Sequence, residues 1–222
     1  MSHLLKRVAA RLPHQLHHEL KRHYYAWQIQ HGQFRTEEQE FQRLEQFVAP
    51  GDWVIDVGAN VGHYTAKLSR LVGPSGRVLA LEPVPKTFEL LAHNVRRLPT
   101  ANVTLLNLAA SDRPTVAGME VPTGSDGLEN GYLAHISEGA SGINILCMPL
   151  DALRLPRPVK LVKIDAEGHE LTVLRGMSEL LKRDRPTLIV EVSRAASADF
   201  ILKLGYAMER LPGSPNCIFK PR

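Results

Sequence analysis

The feature that most constrains the fold of this chain is a short apolar strand that runs into a glycine-containing turn. The strand is predicted at Trp53–Val57, and the turn that follows, residues 58–62, reads Gly-Ala-Asn-Val-Gly. Because glycine has no Cβ, Gly58 and Gly62 let the backbone pass close to a bound molecule. The helix predicted to begin near Gly62 adds free N–H groups and the positive end of a helix dipole. The spacing D-x-G-x-x-x-G differs from the G-x-G-x-x-G of dinucleotide-binding folds, which argues against a dehydrogenase.

Strands and helices alternate from residue 50 onwards, a pattern that favours a parallel sheet. Seven strands are predicted, at residues 53–57, 77–81, 103–109, 161–165, 187–192, 206–211 and 217–220. Helices near 62–72 and 86–98 separate the first three strands, so their crossovers should be right-handed. The five residues 212–216 are too few for a crossover, so the last strand should be antiparallel. The predicted fold class is α/β, with a Rossmann-like, mostly parallel seven-stranded sheet and an antiparallel last strand.

An N-terminal helical extension, residues 1–49, is predicted to precede a catalytic domain at residues 50–222. Pro13 should divide a first helix from a second, because proline is favoured near the start of a helix. A further helix is predicted at residues 37–48.

Residues 111–158 interrupt the alternation of strands and helices. Six of the 16 glycines fall between Gly118 and Gly142, and no helical pattern is visible. We expect short irregular strands over the carboxyl edge of the sheet, where long non-regular segments are usually functional. The segment is predicted to be a flap that covers the substrate, and a plain surface hairpin is the alternative.

The net charge of +4 is concentrated in the first 30 residues, which hold five basic side chains and one acidic one. The rest of the chain has 22 basic and 22 acidic side chains, so nothing there indicates a polyanion partner. The extension is interpreted as a cap packed on the catalytic domain, and a membrane-surface or RNA-binding arm is the alternative. No apolar run is long enough to span a bilayer, and no secretory-signal pattern is visible. Two distant cysteines, Cys147 and Cys217, fit a reducing compartment, so a cytoplasmic location is expected.

Carboxylates stand at the carboxyl ends of three predicted strands. Glu82 follows the second strand, and Asp165 and Glu191 lie at the ends of the fourth and fifth. Doubly wound folds bind their ligands at this edge of the sheet. Glu82 lies 20 residues beyond Gly62, where a carboxylate can accept hydrogen bonds from two vicinal ribose hydroxyls. Asp165 and Glu191 can raise each other's pKa and so produce a usable base.

The run Lys-Ile-Asp-Ala-Glu-Gly-His-Glu at residues 163–170 adds further candidates. His169 is an alternative base, because an unperturbed imidazole titrates near neutral pH. The alternative roles are a solvated first-turn residue for His169 and, for Glu167 and Glu170, charges that complement a helix dipole. The pair of acidic strand ends could also bind a divalent cation, but we predict no metal site.

Together these motifs resemble the FkbM-type methyltransferases, which use S-adenosylmethionine (SAM). The glycine turn alone resembles the first motif of SAM-dependent methyltransferases in general, and the K-I-D-x-E-G-x-E run at this distance is more specific. The resemblance covers about residues 50–195 and rests on residues 55–62, 81–83, 110–112, 150–153, 163–170 and 185–191. It implies the Rossmann-like methyltransferase fold, SAM as cofactor and O-methylation of hydroxyls on sugars and natural products.

The predicted cofactor site consists of residues from the glycine turn and the strand ends beside it: Asp56, Gly58, Ala59, Asn60, Gly62, Glu82, Pro83, Ala110 and Ser111. Asp56 would hold the methionyl ammonium directly or through a water. The segment at Ala110 and Ser111 would border the adenine or serve simply as a turn. The predicted catalytic residues are Asp165, Glu167, His169 and Glu191. Asp165 or His169 would be the base, with Glu191 orienting or tuning it.

The leading prediction is a SAM-dependent O-methyltransferase that acts on a hydroxyl of a saccharide, a glycolipid or a secondary metabolite. The alternatives are an RNA ribose methyltransferase that uses the basic N-terminal arm, and a non-catalytic SAM-binding module. Base N-methylation is disfavoured, because the fourth strand is followed by Asp-Ala-Glu-Gly without the prolines and the aromatic residue expected there. A nucleic-acid partner is therefore not expected. The N-terminal extension and the flap should select a small-molecule or glycan acceptor.

Overall fold

A seven-stranded sheet forms the centre of the computed structural model, which describes residues 14–123, 133–137 and 142–222. Numbered along the chain, its strands are β1 (Trp53–Val57), β2 (Arg77–Leu81), β3 (Val103–Leu106), β8 (Val159–Ile164), β9 (Thr187–Glu191), β10 (Tyr206–Arg210) and β11 (Asn216–Pro221). The spatial order is β10-β11-β9-β8-β1-β2-β3. The pairs from β9 to β3 are parallel, and β11 runs antiparallel to both of its neighbours. The predicted fold class is confirmed, and the last strand is inserted between β9 and β10.

The carboxyl ends of the three central strands are aligned. Val57, the last residue of β1, pairs with Leu81 of β2 and with Ile164 of β8. The next residues along the chain therefore meet at one place on the edge of the sheet, and these are Gly58, Glu82 and Asp165. The sheet register thus brings the glycine turn and two of the predicted carboxylates together.

Helices cover both faces of this sheet. They are α1 (His14–Gln30), α2 (Gln39–Gln42), α3 (His63–Val72), α4 (Pro85–Val95), α5 (Glu170–Arg175), α6 (Ser178–Asp184) and α7 (Ala195–Lys203). Successive side chains of a strand point to opposite faces, so Val54 packs with Leu68 of α3 and Ile55 belongs to the core that contains Leu174 of α5. Among the described helices, none has the length and apolar character needed to cross a lipid bilayer.

The N-terminal extension agrees only in part with its prediction. Helix α1 occupies the described residues from His14 onwards and packs against α4, where Arg22 Nε donates a hydrogen bond to His93 Nδ1 at 3.2 Å. The first helix, expected before Pro13, lies outside the described residues. The single helix expected at residues 37–48 is wrong, because the chain forms α2 and then a 3-10 turn at Leu44–Gln46.

Buried apolar side chains accompany this break. Phe41, Leu44, Phe47 and Val48 all belong to one core cluster. Leu44 and Phe47 are three residues apart, the spacing at which side chains align in 3-10 geometry. Tertiary packing therefore overrides a continuous α-helix here.

A second, four-stranded sheet occupies much of the predicted flap. Its strands are β4 (Ala109–Ala110), β5 (Thr115–Glu120), β6 (His135–Ser137) and β7 (Ile143–Met148), in the order β4-β7-β5-β6. The expected short strands are present, but they form regular ladders in which β5 is antiparallel to β6 and β7. A 3-10 turn at Leu150–Leu153 was not predicted. Residues 124–132 and 138–141 of the flap lie outside the described residues, and its role as a substrate cover stays a prediction.

Candidate active site

The glycine turn lies directly against the end of β8. Gly58 has a φ of +71°, and a Cβ on it would lie 1.9 Å from the carbonyl oxygen of Asp165. The N–H groups of Gly58 and Ala59 both donate to the carbonyl oxygen of Leu81, at 3.0 and 2.9 Å. Only glycine fits this combination of a left-handed φ and a close backbone neighbour. The turn therefore seals the junction between β1, β2 and β8.

Asn60 holds the turn to Glu82. It adopts a φ of +50°, which asparagine tolerates better than most residues. Its side-chain Oδ1 accepts a hydrogen bond from the Val61 N–H at 2.8 Å, and its own N–H donates to Glu82 Oε2 at 2.9 Å. Gly62 ends the turn with a φ of +98° and precedes α3.

Both carboxylate oxygens of Glu82 are anchored by backbone N–H groups. Oε2 accepts from Asn60, and Oε1 accepts from Val84 at 2.9 Å. Burial raises the pKa of Glu82 to about 7, against the opposing effect of these hydrogen bonds. Each carboxylate oxygen has a second lone pair, so the fixed carboxylate can still accept two donors from a ligand, such as vicinal hydroxyls.

A cavity of about 410 Å³ opens in front of these groups. This volume lies within the range of small-molecule sites. The predicted residues among its lining are Gly58, Ala59, Asn60, Glu82, Pro83, Asp165 and Glu167. Ala134, from the segment predicted to be the flap, also contributes to the lining.

Residues 35–38 of the N-terminal extension form another part of the cavity wall. Phe34 stacks on the ring of His63 with centroids 4.3 Å apart, and the Tyr64 hydroxyl donates to Glu38 Oε2 at 2.7 Å. Burial lowers the pKa of His63 to about 4, so the stacked imidazole is neutral. The sequence did not reveal this wall, because residues 35–38 show no periodic pattern and their partners lie in α3.

Asp56 is fully buried and is not among the residues that line the cavity. The Thr65 hydroxyl donates to its Oδ2 at 2.6 Å, and within the described residues its Oδ1 has no hydrogen-bond partner. Burial raises the pKa of this carboxyl group. Its predicted role in holding the methionyl ammonium, directly or through a water, stays a prediction. Through Thr65, the carboxylate links β1 to α3.

Lys163 is a functional candidate that was not predicted from the sequence. Its ammonium lies 3.0 Å from Asp165 Oδ2 and 3.3 Å from the Gly58 carbonyl oxygen. Burial disfavours charge on both partners, but their mutual attraction outweighs it, so the pKa of Lys163 is raised and that of Asp165 is lowered. Lys163 and Asp165 are two residues apart, and the two-residue period of a strand predicts that they share a face. This signal was available in the sequence.

Three predicted catalytic carboxylates converge beside the cavity. One oxygen from each of Asp165, Glu167 and Glu191 lies within 4.8 Å of the others. Asp165 and Glu167 line the cavity, whereas Glu191 is not among its lining residues. Burial and the negative charge of Asp165 raise the pKa of Glu191 to about 7. Such neighbours titrate as a pair, so the Asp165–Glu191 pair can take up one proton near neutral pH.

His169 occupies a different place. It lines a small apolar slot of about 40 Å³ together with Ala110 and Ala166, and this slot shares Gly58, Pro83 and Asp165 with the cavity. Ser111 Oγ lies 3.2 Å from His169 Nε2, and burial lowers the pKa of the imidazole. The structure therefore brings His169 together with the predicted adenine-side residues and with Asp165, but His169 does not belong to the group of carboxylates formed by Asp165, Glu167 and Glu191.

Glu170 anchors the loop that carries the catalytic candidates. It is almost fully buried, and its Oε1 accepts the Gly168 N–H at 2.8 Å. Its Oε2 accepts the Ser193 hydroxyl at 2.9 Å. Glu170 thus joins the loop after β8 to the loop after β9, in addition to placing a negative charge at the start of α5.

Comparisons with known proteins agree with this geometry. The family model described as the methyltransferase FkbM domain matches residues 56–209. A hexuronic acid methyltransferase, AglP, from Haloferax volcanii is 28% identical over 180 residues, which cover 80% of this chain and 70% of the relative.

Two crystal structures share the fold. A methyltransferase FkbM from Methylobacillus flagellatus gives a TM-score of 0.58 at 17% identity and covers 90% of this chain, which spans 58% of that protein. A putative rRNA methylase from Clostridium thermocellum gives a TM-score of 0.52 at 17% identity, over 83% of this chain and 94% of that one. At such identities both structures support the fold alone.

The residues of the cavity fit SAM, the cofactor of such enzymes. Carboxylates suit its positive sulfonium and ammonium groups, and the two anchored oxygens of Glu82 suit a pair of vicinal hydroxyls such as those of its ribose. Gly58 lines the same cavity and has no side chain, so its backbone can lie close to a ligand. Because the family model matches residues 56–209, which are most of the chain, the chain belongs to the FkbM methyltransferase family and is a SAM-dependent methyltransferase.

Proposed function

We propose that this methyltransferase modifies a hydroxyl of a saccharide, present as a sugar, a glycolipid, a glycan or part of a secondary metabolite. The observation that carries the proposal is the Asp165–Glu191 pair, in which Asp165 lines the cavity and Glu191 lies beside it. Burial and the negative charge of Asp165 raise the pKa of Glu191 to about 7. A hydroxyl acceptor must lose a proton, and a carboxylate of this kind can receive it. The hexuronic acid acceptor named for the Haloferax volcanii relative supports the saccharide class.

In this mechanism the protein mainly positions the cofactor and the acceptor and removes the proton of the acceptor hydroxyl. When bound, SAM supplies a methyl group already activated on a sulfonium. Glu82 would bind the ribose hydroxyls, and Pro83 and Ala110 would border the adenine at the apolar slot. Lys163 keeps Asp165 charged and in place. The Asp165–Glu191 pair would receive the proton that the acceptor hydroxyl loses on methylation.

The proposal predicts a stable methyl ether as product. Purified protein with SAM should methylate an aryl β-glucuronide, and mass spectrometry should find a product that survives mild alkali. A chelator should leave the rate unchanged, because the Lys163 ammonium already supplies positive charge 3.0 Å from Asp165. Methylation of RNA ribose instead would favour the nucleic-acid alternative. SAM binding without any product would favour the non-catalytic module.

The titration of Glu82 predicts a pH-dependent affinity for SAM. Ribose hydroxyls donate to the charged carboxylate, and in the protein without SAM burial raises the pKa of Glu82 to about 7. Affinity should therefore be constant above this pH and fall as pH decreases, by up to about tenfold per unit. In Glu82→Gln the dissociation constant should rise about tenfold or more, and this dependence should be lost. Calorimetry on the wild type and on Glu82→Gln allows the two pH curves to be compared, so that any effect of the titration of SAM itself, which is common to both, cancels. Parallel pH curves would exclude Glu82 from the site.

A reducing, cytoplasmic setting is part of the proposal. The two cysteines of the chain, Cys147 and Cys217, are both buried and free. Free thiols in the interior support such a compartment.

A further inference from the structure

The cavity wall is predominantly acidic. Its carboxylates are Glu37, Glu38, Glu82, Asp165 and Glu167. They suit the positive groups of the cofactor, but they repel an acceptor that carries its own negative charge. Lys163, one of the basic lining residues, is already bound to Asp165 and to the Gly58 carbonyl oxygen. It is therefore not available to a second anion.

Arg35 differs from Lys163 in being exposed and available. It lines the cavity from the N-terminal extension. In the part of the chain that the structure describes, no carboxylate lies within ion-pair distance of its guanidinium, although Glu37 and Glu38 follow closely in sequence. A guanidinium presents a planar fork of N–H donors that matches a carboxylate. The Arg35 guanidinium is thus a cation of the cavity wall that can bind an anion.

The backbone around Arg35 is fixed on both sides. Phe34, directly before it, is buried and stacks on His63. After it, the carbonyl oxygen of Thr36 accepts a hydrogen bond from Gln42 Nε2 at 3.1 Å, and Glu38 accepts from Tyr64. Arg35 is therefore held at the cavity by its neighbours and does not belong to a freely moving loop.

The methionyl carboxylate of the cofactor has donors elsewhere. The first turn of α3 begins after Gly62, and the N–H groups of His63 and Tyr64 have no partners within the helix. His63 and Tyr64 of this turn line the same cavity. Backbone N–H groups at a helix start bind anions, so the cofactor does not require Arg35.

We infer that Arg35 binds the carboxylate of an anionic sugar, so that the acceptors of this site are uronic acids and not neutral sugars. This inference rests on the proposed function, since it names the acceptor of the same site. The guanidinium would balance the acidic wall and orient the sugar, leaving a hydroxyl for the Asp165–Glu191 pair. Arg35 is thus a specificity-determining residue.

Binding measured without turnover tests the inference directly. Calorimetry with glucuronate and with glucose, on protein saturated with S-adenosylhomocysteine, should show a clear preference for glucuronate. Arg35→Ala should weaken glucuronate binding by about 10- to 100-fold, and Arg35→Lys should restore part of it. Arg70→Ala is the matched control, because Arg70 is exposed at the far end of α3. Equal binding of both sugars by the wild type, or no loss in Arg35→Ala, overturns the inference.

Two further measurements determine whether Arg35 binds the carboxylate of the acceptor sugar or the methionyl carboxylate of SAM. The affinity for SAM alone should be unchanged in Arg35→Ala, and a loss of SAM affinity would assign the guanidinium to the cofactor and overturn the inference. With an aryl β-glucuronide, Arg35→Ala should raise KM and keep kcat. An alkali-labile methyl ester as product would make the carboxylate itself the methyl acceptor, which also contradicts the inference. Glucuronate binding that depends on Arg35 without any methylation would refute the proposed function alone.

Discussion

Asp165→Asn is expected to lower kcat by about 100- to 10,000-fold, the range that a lost general base produces. Asp165 lines the cavity and is paired with Glu191 and Lys163. Asparagine keeps the shape of the side chain but cannot accept the hydroxyl proton. SAM affinity should change by no more than about threefold, the effect of losing one peripheral contact, because Glu82 and the glycine turn remain intact. Stopped-assay kinetics and calorimetry on the same preparation measure both quantities.

Glu191→Gln separates the two members of the pair. The wild-type kcat should rise with pH up to about 7 and then level off, since the protonated pair cannot accept a proton. In the variant Asp165 stands alone beside Lys163, which keeps its pKa low, so this rise should disappear from the neutral range. Glu45→Gln, an exposed glutamate before β1, is the control and should keep the wild-type profile. Full activity in Asp165→Asn, with a folded protein, contradicts the catalytic role of the pair.

Gly58→Ala is expected to have the largest effect on the cofactor site and on stability. The added Cβ would meet the carbonyl oxygen of Asp165 at 1.9 Å, and neither backbone can move without disturbing β1 or β8. The left-handed φ costs about 1–2 kcal/mol, and overpacking adds about 1–3 kcal/mol. Denaturant unfolding should show a loss of about 2–5 kcal/mol as the sum of these. Any folded fraction should bind SAM at least about tenfold more weakly, because a displaced turn loses the Asn60–Glu82 hydrogen bond.

Gly213→Ala is the matched control for this substitution. Gly213 has a similar φ of +75° in the hairpin between β10 and β11, but a Cβ added there would have no neighbour within 4 Å among the described residues. Only the cost of the left-handed φ, about 1–2 kcal/mol, should appear there, with SAM affinity unchanged. Equal effects of the two substitutions would show that close packing against Asp165 is not what requires glycine at position 58.

The elements that the sequence predicted best are those where local pattern and tertiary role agree. β1 and β2 match their predictions to the residue, because each is a short apolar run that ends at a glycine or a Glu-Pro pair. Their parallel register then follows from the βαβ connection. The convergence of Glu82 and Asp165 could be predicted for the same reason. The insertion of β11 between β9 and β10 could not, because a hairpin specifies an antiparallel partner but not which edge of it meets the rest of the sheet.

The parts of the site that escaped prediction depend on long-range contacts. Tyr64 and Glu38 are 26 residues apart, and no local pattern indicates that residues 35–38 return to the cavity. The burial of Asp56 could not be predicted either. Its position in the strand predicts which face of the sheet it lies on, but not that Thr65 of α3 packs against it. His169 lines the small slot together with Asp165, but the loop after β8, with left-handed Glu167 and Gly168, turns its imidazole towards Ser111.

The most direct test of the account is a crystal structure with S-adenosylhomocysteine. We predict that the ribose hydroxyls contact Glu82, that the turn containing Gly58 lies against the ligand, and that the sulfur faces Asp165. Density for the ligand outside this cavity, or a ribose held by groups other than Glu82, would contradict the account.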